Sequence, residues 1–216
     1  MVLIDASRYA ASHQEQVMEA IQQHLLLVSV PLGFALLIGG YGGWRCVCWS
    51  RQHSTTLPLV LLNVFNGLRV IPSLAILFLL IPILGLTFQA AAFALWLLAI
   101  PPILLATEVG FRTVPASARE VGLAMGMTRW QLFSQVDLPL ALPVILSGIK
   151  TATLEVIASA TLAAFIGAGG LGSFITLGFA LNEPAILLVG AIPVAGLALL
   201  AEGLLNRLQQ FLRLHA

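Results

Sequence analysis

The chain has 216 residues, 59% of them hydrophobic and only 9% charged, with a mean hydropathy of +1.01. Soluble domains carry roughly 25% charged residues, and so few charges cannot cover a water-facing surface. A formal charge of +1 leaves no basic field for nucleic acid, and the composition excludes a disordered chain, a disulfide scaffold and an ordinary cytosolic enzyme; what remains is an all-α integral membrane protein.

Residues 1–24 read as an extracytoplasmic segment, mostly one short polar helix on the outer surface. His13, Glu15, Glu19 and His24 fall here, in a spacing that matches no metal site, so they read as a solvated helix face and no metal is expected. The apolar run starts at Leu25 and its strongest positive charges follow it, which marks an uncleaved anchor rather than a signal peptide. Residues 25–216 then read as a transmembrane domain. A spanning helix needs about 20 apolar residues. Five candidates satisfy this, at about 25–43, 57–84, 89–107, 142–166 and 185–205. The second is overlong; Pro72 and Pro82 kink it, or it divides into two shorter segments. The third carries Pro101 and Pro102 near its end. Cys46 and Cys48 are too close for an easy disulfide and too few for a zinc site, and read as boundary residues.

Direction follows from the short loops. Arg45, Arg51, Arg112, Arg119, Arg129, Lys150, Arg207 and Arg213 all fall on or near one side, against Arg8 on the other. The N-terminus is therefore expected outside and the C-terminus in the cytoplasm.

The longest polar interruption is the cytoplasmic loop 108–143. Pro115 suits a first helical position, the run to Met125 holds good helix formers, and Gly126 suits a left-handed stop. Thr128 followed by Gln131 resembles a capping box for a second helix, expected to stop before Leu138-Pro139. A helix–glycine–helix elbow between spans can dock into a groove on another protein. A surface hairpin with no partner is the alternative, and local pattern alone does not decide.

Two charges lie inside spans, where each costs at least about 2.5–3.5 kcal/mol. Arg69 and Glu155 each stand roughly 18 Å from the cytoplasmic start of their helices, at 1.5 Å per residue. Asn63, Asn66, Arg69 and Ser73 make a polar stripe on the second span, and Ser147, Thr151, Glu155 and Ser159 make one on the fourth. These stripes point to a buried Arg69–Glu155 pair or gate element; two residues facing water without touching is the alternative. Glu108 can pair with Arg112 one turn on.

The run Glu120-Val121-Gly122, three residues, Gly126, nine residues, then Val136-Asp137-Leu138-Pro139 resembles the EAA loop of ABC importer permeases. That pattern reads Glu-Ala-Ala, three residues, Gly, nine residues, Ile, any residue, Leu-Pro; the departures are Val121, Gly122 and Val136. Met125 to Gln131, Leu138 to Pro143 and Ile71 to Ala75 resemble the osmoprotectant branch, and Gly167, Gly169, Gly170 and Gly172 resemble the family's glycine-rich turn after the fourth span. The resemblance implies a methionine-permease-like transmembrane domain that forms a pathway as a dimer with a second permease copy or paralogue. It implies a cytosolic ABC ATPase dimer, an extracytoplasmic solute-binding protein, and glycine betaine, choline, carnitine or a similar solute; a permease for an amino acid such as methionine shares the layout. It assigns ATPase coupling to Glu120 and Gly126, with Arg119, Ala124 and Met127 as neighbours. No Gly-x-x-x-x-Gly-Lys-Ser/Thr loop occurs, so ATP-Mg is expected on the partner ATPase and no cofactor on this chain. No catalytic constellation is visible either. An ion-coupled carrier is the rival reading; five spans without an internal repeat argue against it.

Overall fold

The computed structural model describes residues 2–52 and 56–213; the side chains of Arg51 and Arg213, counted above for loop charge, lie outside the described residues. The described chain is helical throughout: α1 (Val2–Ser12), α2 (Gln14–Gln52), α3 (Thr56–Leu68), α4 (Ser73–Leu84), α5 (Phe88–Arg112), α6 (Ala116–Ala124), α7 (Arg129–Leu132), a π-helical turn (Phe133–Asp137), α8 (Leu138–Leu162), a 3-10 turn (Ala163–Ile166), α9 (Gly172–Ala180) and α10 (Pro184–Arg213). Four helical stretches, Gln14–Ser50, Phe88–Arg112, Arg129–Ile166 and Pro184–Leu212, are long and apolar enough to cross a membrane. The broken pair Leu59–Leu68 and Ser73–Leu84 brings the total to five when counted as one span.

Of the two forms open to the second stretch, the divided one is found: Pro72 is extended (φ −56°, ψ 133°) at the start of α4, and the Arg69 N–H closes the end of α3 on Asn66 O at 3.2 Å. Arg69 consequently stands exposed in the break between α3 and α4, and the stripe that was to include Ser73 is interrupted. A proline lacks the N–H that a continuous helix needs, and the residue before it avoids the helical region. His24, expected on a solvated face, is fully buried in α2, which runs unbroken through the expected boundary at residue 24. Its neighbours Leu27 and Gly170 explain the burial: the ring packs against the glycine turn. The helix starting at Thr128 does not stop before Leu138-Pro139. The π-helical turn widens the spiral, the Leu138 N–H reaches back to Phe133 O, and Pro139, which brings no N–H, follows directly on that widened turn.

The chain divides into two compact units. One gathers the chain up to Phe34, Val70–Ala99 and Thr153–Glu202. Its core joins Ala6 of α1 and Ala20 of α2 to Leu171 at the start of α9 and Phe174 within it, and to Ile186 and Val189 of α10. The other gathers Ala35–Arg69, Ile100–Ala152 and the chain from Gly203. There, small residues let helices meet almost backbone to backbone. A Cβ at Gly43 would lie 2.6 Å from Leu104 O, and one at Gly148 would lie 2.5 Å from Pro102 O. Gly39 also packs on Ile103, so the Gly39–Gly43 spacing serves contact with α5 of the same chain. Lys150 donates to Asn206 at 3.0 Å and Gln209 to Pro143 O at 2.8 Å, tying α10 to α8.

Candidate functional site

The hairpin from α6 to the π-helical turn lies in the second unit and is assembled from local signals. Pro115 caps α6 in extended conformation. At the other end Gly126 takes φ +79°, the Met127 N–H bonds Gly122 O at 3.1 Å and the Gly126 N–H bonds Leu123 O at 2.9 Å. These two bonds define a Schellman stop, which satisfies orphan carbonyls and requires a left-handed residue. No atom would lie within 4 Å of a Cβ at Gly126, so backbone angle rather than space selects glycine there. Two residues on, Thr128 and Gln131 form the expected capping box: the Gln131 N–H donates to Thr128 Oγ1 at 3.3 Å, and the Thr128 N–H donates to Gln131 Oε1 at 2.9 Å.

The two arms are clamped to each other. The Arg119 guanidinium donates through Nε and Nη2 to both carboxylate oxygens of Asp137, which is buried in the π-helical turn. The hydrogen bond to Asp137 holds the Arg119 guanidinium above its ordinary range. Arg119, placed by resemblance among the coupling positions, thus works inside the hairpin. Asp137 was missed by the sequence reading. Its signal was a lone acid in an apolar helix, a group that needs a cation once buried. Gly122 fits the same seam: a Cβ there would lie 2.8 Å from Leu132 Cδ1 and 3.2 Å from Met127 Sδ.

The π-helical turn fastens the hairpin to the spans. The Phe133 ring meets Trp44 of α2 edge-on at 5.6 Å, stacks on Phe111 of α5 at 5.8 Å and touches Trp130 at 5.6 Å. Val47, Phe111, Val114, Ala141 and Ile145 fill the core beneath. Just before the hairpin, Glu108 is buried in α5 and pairs with Arg112, as expected one turn on.

The outer face of the hairpin has the opposite character. Glu120 and Ala124 are exposed, and so are large apolar side chains: Val121 at 58%, Leu123 at 56%, Met125 at 72% and Trp130 at 72%. These residues lie on a short polar connector, where apolar side chains gain nothing from water.

Arg69 lines a cavity of about 340 Å³ with Ser147, Gly148 and Thr151 of α8. Glu155 stands half-buried one turn beyond Thr151 on the same helix. In the other unit, Gly167, Gly169 and Gly170 all take positive φ, between 72° and 80°. The Gly170 N–H donates to Gln23 Oε1 at 2.9 Å, and a Cβ at Gly169 would lie 2.2 Å from that same oxygen. Gly172 has no unusual angle, but a Cβ there would lie 2.0 Å from Thr161 O. Gln23, separated from Gly170 by 147 positions, had no sequence signal. Among the described residues no cluster of His, Cys, Asp or Glu is set to hold a metal, and Cys46 and Cys48 are free thiols.

Residues 32–214 match the family model described as binding-protein-dependent transport system inner membrane component. The chain is 47% identical over 148 residues to the carnitine transport permease protein OpuCB of Listeria monocytogenes, covering 68% of each chain. It is 37% identical to the glycine betaine/carnitine/choline transport system permease protein OpuCB of Bacillus subtilis, over 82% of this chain and 75% of that one. Its fold matches a permease chain from inward-facing structures of the MetNI methionine ABC transporter with a TM-score of 0.80 at 22% identity, covering 93% of this chain and 98% of that one. The protein is therefore a multi-pass inner-membrane permease subunit, a transport component rather than an enzyme, and it belongs to the family of binding-protein-dependent transport system inner membrane components.

Proposed function

We propose that this permease imports glycine betaine or a related quaternary ammonium osmoprotectant, with ATP-Mg held by a separate cytosolic ATPase dimer. Relatives named for carnitine and for glycine betaine, carnitine and choline support the solute class. Two permease copies, or this chain and a paralogue, enclose one pathway, and an extracytoplasmic solute-binding protein delivers the cargo. The Lys and Arg bias puts the N-terminus outside and the C-terminus in the cytoplasm.

The observation that carries the coupling role is the exposed apolar face of α6 and its elbow, Val121, Leu123, Met125 and Trp130, beside the exposed Glu120. In this reading the face sits in a groove of the ATPase. Glu120 adds a charge-assisted hydrogen bond. Gly126 lets the helix end abruptly, and Met127 and Ala124 border the contact. Closure of the ATPase pair pushes on α6; the Arg119–Asp137 clamp passes the push to the π-helical turn, and the Phe133 aromatic cluster passes it to α2 and α5. Arg69 and Glu155 act as a pair or gate element beside the pathway, a reading supported by the polar face of α8 that lines the Arg69 cavity. Exchanging the two charges tests it: each single reversal, Arg69→Glu or Glu155→Arg, stops uptake and the double exchange restores it.

The deciding experiment is co-purification of the chain with its ATPase, followed by uptake into vesicles. Glycine betaine, carnitine or choline, delivered by the binding protein, should stimulate ATP hydrolysis, and removing the ATPase should abolish uptake. Uptake without the ATPase would establish an ion-coupled carrier instead, and stimulation by methionine alone would overturn the solute class.

A further inference from the structure

Two cavities in the second unit meet at the end of the apolar stretch of α2, which finishes at Ser50. The first has a volume of about 350 Å³ and is walled by Arg45, Arg119 and Arg129 together with Trp44, Trp49 and Phe111. Arg119 is neutralised by Asp137. Arg45 and Arg129 are exposed, and neither has a carboxylate partner among the described residues. The cavity therefore carries two uncompensated positive charges. The second cavity, about 290 Å³, shares Arg45 and Trp49 with the first and is otherwise apolar, lined by Ile38, Gly42, Phe65 and Leu104 among others.

The two are ordered in depth along the helices. Phe111, in the last turn of α5, borders the charged cavity, while Leu104, about two turns earlier at 5.4 Å per turn, borders the apolar one. Ile38, Gly42 and Cys46 descend one face of α2 at four-residue spacing, and the glycine hollows that face into a groove. Tryptophans at the rim are typical of the bilayer interface, and arginines there keep their heads in the polar layer.

We propose that this compound cavity binds an anionic phospholipid, its phosphate between Arg45 and Arg129 and one acyl chain in the Ile38–Leu104 groove. A soluble phosphate would use only the charged half, and a zwitterionic lipid would bring a cation to two arginines. Arg129 begins α7, three residues after the Gly126 elbow, so the headgroup adjoins the hairpin. The inference rests on the chain spanning a membrane and does not depend on the solute or on coupling.

The test is lipid retention by the purified full-length chain in detergent, read by native mass spectrometry. Phosphatidylglycerol, phosphatidylcholine of the same acyl chains and free glycerol phosphate are the probes. Wild type should retain phosphatidylglycerol over phosphatidylcholine by about thirtyfold, the scale of two interfacial arginines. The preference should vanish in R45Q/R129Q, persist in R45K/R129K and persist in R207Q, a cation removed elsewhere. Gly42→Leu, which fills the groove and leaves the charges, should weaken retention. Equal retention of both lipids by wild type, an unchanged preference in R45Q/R129Q, or displacement of the lipid by an equal concentration of glycerol phosphate would each overturn the proposal.

Discussion

The elbow at Gly126 and the turn at Gly167 end their helices with the same pair of hydrogen bonds. At Gly126 the bonds run from residues 126 and 127 to 123 and 122; at Gly167 they run from residues 167 and 168 to 164 and 163. Both glycines are left-handed, at φ +79° and +72°. Their surroundings differ. Around Gly126 a side chain would meet nothing, and apolar residues stand out into solvent. Just past Gly167 the chain is pressed on every side: Gln23 occupies the place of a Cβ at Gly169, and Thr161 O that of one at Gly172. The first turn leaves an apolar surface exposed, while the second locks the chain against its own helices. Identical backbone chemistry thus sits beside open surface in one region and serves internal packing in the other.

That contrast predicts different losses from similar substitutions. Gly172→Ala forces a methyl into a backbone oxygen and should cost about 3 kcal/mol, seen as a large drop in the thermal midpoint of the purified permease. A midpoint near wild type would mean that the second turn is not packed as described. Asp137→Ala strands Arg119 beside the hairpin and should cost about 2 kcal/mol, less than a fully buried pair because Arg119 keeps 24% of its side-chain surface. Adding Arg119→Ala should recover part of that loss, and strict additivity of the two would show that the clamp contributes no coupling energy. Gly126→Ala strains one left-handed residue by about 1 kcal/mol and leaves the fold intact; its main effect should be on ATPase stimulation. Gly122→Ala should fall within about 0.5 kcal/mol, because helix propensity gains what the tight contact with the movable ends of Leu132 and Met127 loses.

The elbow was legible in the sequence because its determinants are local. Gly126 and the Thr128–Gln131 box act over three or four residues, and the spans follow from hydropathy alone. The clamp joins residues 18 apart and the Gln23–Gly170 bond joins residues 147 apart, and neither leaves a periodic trace. Burial of His24 has the same origin: the turn that covers it comes from the other end of the chain. The prolines resist a local reading. Pro72 left a kink and a division both open and the chain divides there, whereas Pro139 was absorbed by a π-helical turn where a stop was expected. A proline's effect depends on whether neighbouring carbonyls can find other donors, which the bare sequence does not record.

The claim that the α6 face and its elbow carry work from the ATPase is tested most directly at Glu120. Glu120 is exposed, so Glu120→Ala should leave the thermal midpoint of the permease unchanged. In the reconstituted importer it should lower solute-stimulated ATP hydrolysis by about tenfold, the loss of one charge-assisted hydrogen bond at the contact. Wild-type stimulation in that variant, with Gly126→Ala equally silent, would contradict the account.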